Sequence, residues 1–293
     1  MMVAELSPPM PVENILLNQK QKINMKGSII RGCSLLPDGR VVFYCYNTDI
    51  VRFMDKDGVE LFEIGKGKTG YYAYDTVDIK DNNSVAVSSN GFNRRIPIIN
   101  FESQEVMTTI SMDTTIFGMT VKGGTIYYCA GEKGLNMLNL SDKSVSDITN
   151  SNMSEVYYIA TSGDKLYYTN SLTNIVICCD SHGTKQWAYH YGHVLQGPRG
   201  ISLDNDGNLY VFGHRSNNLM VISPDGQRYR QLLSSTDGLV NPFVLDYDKS
   251  TNMLLVVNEE RTAFLFDVTR KEYRNSRTLY TILLNYLYFN TIS

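Results

Sequence analysis

A polar turn followed by a short apolar strand recurs six times along this chain. In the first half, Pro37-Asp38-Gly39-Arg40 precedes Val41-Val42-Phe43, Asp81-Asn82-Asn83-Ser84 precedes Val85-Ala86-Val87, and Lys122-Gly123-Gly124-Thr125 precedes Ile126-Tyr127-Tyr128. In the second half, Gly163-Asp164-Lys165 precedes Leu166-Tyr167-Tyr168, Asn205-Asp206-Gly207-Asn208 precedes Leu209-Tyr210-Val211, and Ser250-Thr251-Asn252-Met253 precedes Leu254-Leu255-Val256. The strands start at 41, 85, 126, 166, 209 and 254, a repeat of 40 to 45 residues. Periods of this length mark solenoids or propellers, and a helical repeat would instead space its apolar residues by three and four.

The fifth copy shows what one unit contains. Gly200-Ile201-Ser202-Leu203, Leu209-Tyr210-Val211-Phe212, Leu219-Met220-Val221-Ile222 and Arg228-Tyr229-Arg230-Gln231-Leu232 are short strands separated by Asn-Asp-Gly, Ser-Asn-Asn and Pro-Asp-Gly turns. They predict one four-stranded antiparallel blade. Six such blades packed around an axis cover one another's faces and leave no long sheet edge exposed. The predicted fold is all-β, a six-bladed β-propeller of four-stranded antiparallel blades. The composition agrees, since 20 Tyr and 11 Phe suit strands. A pair of open β-sandwiches does not account for six similar units in series.

The sixth blade has candidates for three strands, at Phe243–Tyr247, Met253–Val257 and Thr262–Phe266. Its fourth must come from a terminus. Asn18–Met25 directly precedes the first repeat and is expected to pair into the last blade, with the C-terminal run Thr278–Phe289 as its rival. The expected organisation is an extension over 1–17, the propeller over 18–270, and a tail over 271–293 that leaves the repeat pattern.

The segment Gly197-Pro198-Arg199-Gly200-Ile201-Ser202-Leu203-Asp204-Asn205-Asp206-Gly207-Asn208-Leu209-Tyr210-Val211, followed by Val221-Ile222-Ser223-Pro224-Asp225-Gly226, resembles an NHL repeat. With the six-unit array, roughly Asn18 to Arg270 resembles the C-terminal propeller of NHL-type tripartite-motif (B-box) proteins of invertebrates. The third and fourth copies depart from the pattern. The resemblance implies the target-recognition half of a ubiquitin ligase; this sequence has no Cys/His array for a RING or B-box zinc and no heptad run.

Charge and cysteine usage narrow the function classes. With 27 Lys plus Arg against 30 Asp plus Glu the net charge is -3, which excludes a generally polybasic protein. Cys33, Cys45, Cys129, Cys178 and Cys179 lack C-x-x-C spacing and are expected as free thiols in a reducing compartment. No apolar run reaches the roughly 18 residues of a membrane helix. The expectation is a cytoplasmic, monomeric protein.

Calcium-dependent propeller lactonases need carboxylates and amides converging on the axis, because Ca²⁺ takes six to eight oxygens. The corresponding positions here read Arg31, Asp75, Phe117, Tyr157, Arg199 and Phe243, a single carboxylate among two cations. Asp204–Asn208 resembles the start of an EF-hand, but its twelfth position is Arg215, so a hairpin turn is expected. His190 and His193 stand in an inter-blade loop without a nearby carboxylate. Cys178 and Cys179 fall on opposite faces of a strand, predicting one buried and one exposed thiol. No cofactor, metal or catalytic residue is expected, and a metal-dependent hydrolase is the disfavoured alternative.

Four-stranded blades sort their loops onto two rims. Second-to-third strand loops and blade-to-blade loops share the upper rim, and the others share the lower. The upper rim carries Tyr44, Tyr46, Tyr71, Tyr72, Arg94, Arg95, Lys133, Arg199, His214, Arg215 and Arg261, whereas the lower is rich in Asp. Asp is what tight turns prefer, but turn chemistry does not call for Arg. Arg and Tyr together are typical of recognition surfaces. These eleven residues are the expected ligand face, for an acidic or extended protein segment, or alternatively for RNA.

Overall fold

The polar turns reverse the chain, and every pair of strands they join is antiparallel. The computed structural model describes residues 11–65, 68, 73–79, 83–89, 94–149 and 156–271, with backbone alone at 26–28, 156, 157, 260 and 261. The first blade comprises the end of β1 (Ile15–Leu35), β2 (Val41–Cys45), β3 (Ile50–Met54) and β4 (Glu60–Ile64). The second is β5 (Ala73–Asp78), β6 (Ser84–Ser89), β7 (Arg95–Asn100) and β8 (Glu105–Ser111). The third is β9 (Met119–Lys122), β10 (Thr125–Cys129), β11 (Leu135–Asn139) and β12 (Val145–Asp147). The fourth is β13 (Val156–Ser162), β14 (Lys165–Asn170), β15 (Ile175–Asp180) and β16 (Lys185–His190). The fifth is β17 (Pro198–Leu203), β18 (Leu209–Gly213), β19 (Asn218–Ile222) and β20 (Tyr229–Leu233). The sixth is β21 (Pro242–Asp248), β22 (Met253–Asn258), β23 (Glu260–Arg270) and the start of β1. The predicted turn–strand junctions fall at the starts of β2, β6, β10, β14, β18 and β22, within one residue.

Ring closure comes from the N-terminus, as expected. Ile15–Asn24 pairs with Arg270–Thr262 as the outermost strand of the sixth blade, and Ile30–Leu35 then becomes the innermost strand of the first. The pairing starts three residues before Asn18. The rival closing strand, Thr278–Phe289, lies outside the described residues.

Blades pack face to face, so a middle strand is buried on both sides. The burial of β2, β6, β18 and β19 is accordingly continuous rather than alternating. This corrects the expectation for Cys178 and Cys179. The two side chains do point to opposite faces, into two different apolar clusters, but both are fully buried because each face of the blade is covered by a neighbour.

The inner strands approach closely at two glycines. A Cβ on Gly32 would lie 2.7 Å from the Asp75 Cα, and one on Gly200 would lie 2.9 Å from the Val244 Cα, so only hydrogen fits between the first and second blades and between the fifth and sixth. Buried carboxylates fasten other junctions. Asp75 accepts from the Thr76 amide and, across to the third blade, from the Met119 amide, both at 2.9 Å. Burial raises its proton affinity well above the ordinary carboxylate range. Among the described residues no helix is long and apolar enough to cross a membrane.

Candidate functional site

Arginines and aromatic rings from several blades meet where the axial channel reaches the upper rim. Phe243 of the sixth blade stands between neighbours on either side: the Arg31 guanidinium of the first blade lies 4.2 Å from its ring centre and the Arg199 guanidinium of the fifth lies 4.3 Å from it. Arg31 also lies 5.1 Å from the Tyr46 ring and forms an ion pair with Glu259 at 2.7 Å. Tyr74, Phe117, Tyr158 and Phe243 form one aromatic cluster of edge-to-face and tilted contacts, with centroids 5.4 to 6.4 Å apart. These rings fill the top of the channel, and the Tyr158 hydroxyl donates to the Arg31 carbonyl at 2.8 Å.

His214 completes the group, with its ring edge-on to Phe243 at 5.6 Å. Its Nδ1 lies 3.2 Å from the Pro242 carbonyl, which can only accept, so the proton sits on Nδ1. Burial, then the Arg199 charge, lowers its pKa from 6.5, which favours the neutral ring.

Of the eleven predicted residues, Tyr46, Arg199 and His214 therefore converge. Tyr44 does not belong to the surface: it is fully buried, donates to Asp49 at 2.6 Å and accepts from the Ala73 amide at 3.0 Å, serving to join the first two blades. Arg94 and Lys133 are exposed but directed at Asp113, Arg94 to its carbonyl at 2.9 Å and Lys133 to its carboxylate at 2.7 Å. Arg215 bridges to the fourth blade through the Ser171 carbonyl and Asn174 Oδ1. Arg95 lies half-buried at the start of β7, paired with Ser111. Tyr71 and Tyr72 lie outside the described residues, and so does the Arg261 side chain.

Sequence reasoning read Arg31 and Phe243 as axial positions but left them out of the ligand face, and it missed Asp113 as a rim acid; Phe243 is itself fully buried. A signal for the first was present: Arg31-Gly32-Cys33-Ser34-Leu35 and Arg199-Gly200-Ile201-Ser202-Leu203 share a pattern, and Leu35 and Leu203 hold the same register against β2 and β18.

The lower rim is acidic for structural reasons. Asp55, Asp180 and Asp204 each accept two backbone amides of their own turn, and Asp38, Asp142 and Asp225 each accept one. The expected hairpin at Asp204–Asn208 is thus present. The channel opens there as a cavity of about 440 Å³, where Ser202 and Asp246 are already engaged between blades. On the upper rim, a cleft of about 660 Å³ separates the second and third blades. Among the described residues no group of three or more His, Cys, Asp or Glu is arranged to hold a metal ion.

No family model and no curated protein matches the sequence. Solved structures do resemble the fold. A Bacteroides thetaiotaomicron protein of unknown function superposes with a TM-score of 0.69 at 14% identity, over 87% of this chain and 76% of that one. Virginiamycin B lyase from Staphylococcus aureus gives 0.63 at 14% identity, over 87% and 100%. A streptogramin B lyase gives 0.62 at 15% identity, over 88% and 99%. The likeness at these identities is one of fold, the six-bladed propeller.

Proposed function

We propose that this chain is a non-catalytic interaction propeller whose upper rim captures an acidic or extended protein segment at the mouth of the axial channel. The role is that of the target-recognition domain in NHL-type tripartite-motif ubiquitin ligases. One observation carries the reading: Arg31 and Arg199 are both held against the Phe243 ring. Stacking fixes the guanidinium planes before a ligand arrives, which lowers the ordering cost of binding. Arg31 keeps its ion pair with Glu259, so the two guanidinium groups draw a carboxylate through their combined positive charge.

Tyr46 and the charges of Arg31 and Arg199 at the mouth also suit a base and its phosphates, which makes single-stranded RNA the second reading. Fluorescence anisotropy with a labelled oligoglutamate peptide and a labelled single-stranded RNA separates the two. The expected result is saturable peptide binding that weakens about tenfold in Arg199→Ala with the ring still folded. RNA binding that falls log-linearly with salt, without peptide binding, would transfer the site to nucleic acid. Absence of both would end the proposal.

A further inference from the structure

The cleft between the second and third blades has chemistry opposite to that of the channel mouth. Its walls bring together Asp113, Glu132 and Asp147 against one cation, Lys133. Lys133 bonds to Asp113 at 2.7 Å, and among the described residues no ion pair engages Glu132 or Asp147. Tyr128, Asn136 and Asp147 face one another across β10, β11 and β12 and form a row on the side of the blade turned to its neighbour.

Asn136 is 2% exposed, and its Nδ2 donates to Asp147 Oδ1 at 2.8 Å. That bond fixes the amide, so the atom left over is the acceptor Oδ1, which is buried in the cleft wall without a hydrogen-bond partner. Native interiors rarely leave such an acceptor unmet. The Tyr128 hydroxyl lies close to the same amide without a hydrogen bond of good geometry. Burial, then the fields of Asp113 and Asp147, raises its pKa, so it stays protonated.

We infer that this cleft binds a guanidinium group, with Asn136 Oδ1 and the Asp147 carboxylate accepting from its forked edge and Glu132 adding charge at the opening. The two acceptors come from directly paired positions on adjacent strands. A guanidinium meets such a pair with donors in a fixed plane and sheds its hydration more readily than an ammonium does. The site is separate from the channel mouth and stands whether or not the mouth binds an acidic segment. Its ligand is either an arginine side chain of a partner or a small guanidine compound.

The test uses the full chain with N-acetyl-arginine amide and agmatine as probes, and butylamine as an ammonium of comparable reach. The Asn136 side-chain amide is followed by NMR. Saturable shifts with a guanidine probe, at least about tenfold stronger than with butylamine, are expected. Asp147→Asn, at an exposed position, should weaken binding about tenfold, while Asp142→Asn on the lower rim should leave it unchanged. Binding of N-acetyl-arginine amide assigns the cleft to a partner's arginine, and binding of agmatine alone assigns it to a small ligand. No saturable shift with either probe, equal binding of butylamine, or an Asp147→Asn chain that binds like the parent overturns the inference.

Discussion

Asp246, on the innermost strand of the last blade, accepts a hydrogen bond from the Leu35 amide of the first blade at 2.9 Å. The ring is therefore fastened near its axis as well as at its outer edge, where β1 pairs with β23. The other Asp246 oxygen accepts from the Tyr247 amide at 2.9 Å. Asp246→Ala leaves the Leu35 amide without an acceptor and the Tyr247 amide with Ser202 Oγ alone, and should cost about 1–3 kcal/mol, read from urea unfolding. An unchanged midpoint would show that the outer strand alone closes the ring.

Gly32→Ala should destabilise the chain by about 1–3 kcal/mol, because the new methyl meets backbone rather than a movable side chain. Gly123→Ala is a useful contrast: nothing lies within 4 Å there, and its φ of 55° is the only obstacle. The comparison of thermal midpoints separates close approach from conformational preference.

All five cysteines are buried, and burial pushes the thiols of Cys178 and Cys179 up to about 11 and about 12. Near pH 8 the native protein should therefore react with a thiol-specific disulfide reagent only as fast as it unfolds, and all five groups should titrate in denaturant. A rapid native phase at any one of them would contradict this burial.

His214 makes stability depend on pH in a definite direction. Its folded-state pKa is below 6.5, so between that value and 6.5 the unfolded chain binds more protons than the folded one. The stabilisation is fully present above 6.5 and is lost as pH falls through the folded value. Between about pH 7.5 and 5.5 the parent's urea midpoint should fall further than that of His214→Gln. Equal losses would mean that the ring is not held neutral.

Arg199→Ala and Arg94→Ala should differ in partner capture. Arg199 is stacked on Phe243 at the mouth, whereas Arg94 is committed to the Asp113 carbonyl. We expect about a tenfold loss for the first and less than about twofold for the second in the peptide assay. The reverse order would move the binding surface outward to the second and third blades.

Much of the architecture was legible because turns and strands are local. The Asp-Gly pairs and other polar turns stand beside the strands they join, so blade number and strand order could be read from spacing. That a terminal segment supplies the closing strand was legible by elimination, since the sixth blade lacked a fourth member, but the choice between the two candidates was decided by the pairing of β1 with β23. The lower-rim acids were legible too, because Asp accepts from amides two to four residues ahead in its own turn.

The upper rim was legible only as a rim. Loop connectivity places a residue at one end of the disc, but not at a radius from the axis. Tyr44 and Arg199 were equivalent on that basis, yet one is the buried joint between two blades and the other lines the channel mouth. The same holds for Arg94 and Lys133, whose partner Asp113 arrives from the blade-to-blade loop. The sequence alone determined the repeat, the number of blades and the end at which each loop emerges, because these depend on neighbours along the chain. The tertiary structure decided which side chains meet. Arg31, Arg199 and Phe243 come from three different blades, and only packing those wedges around a common axis brings them together.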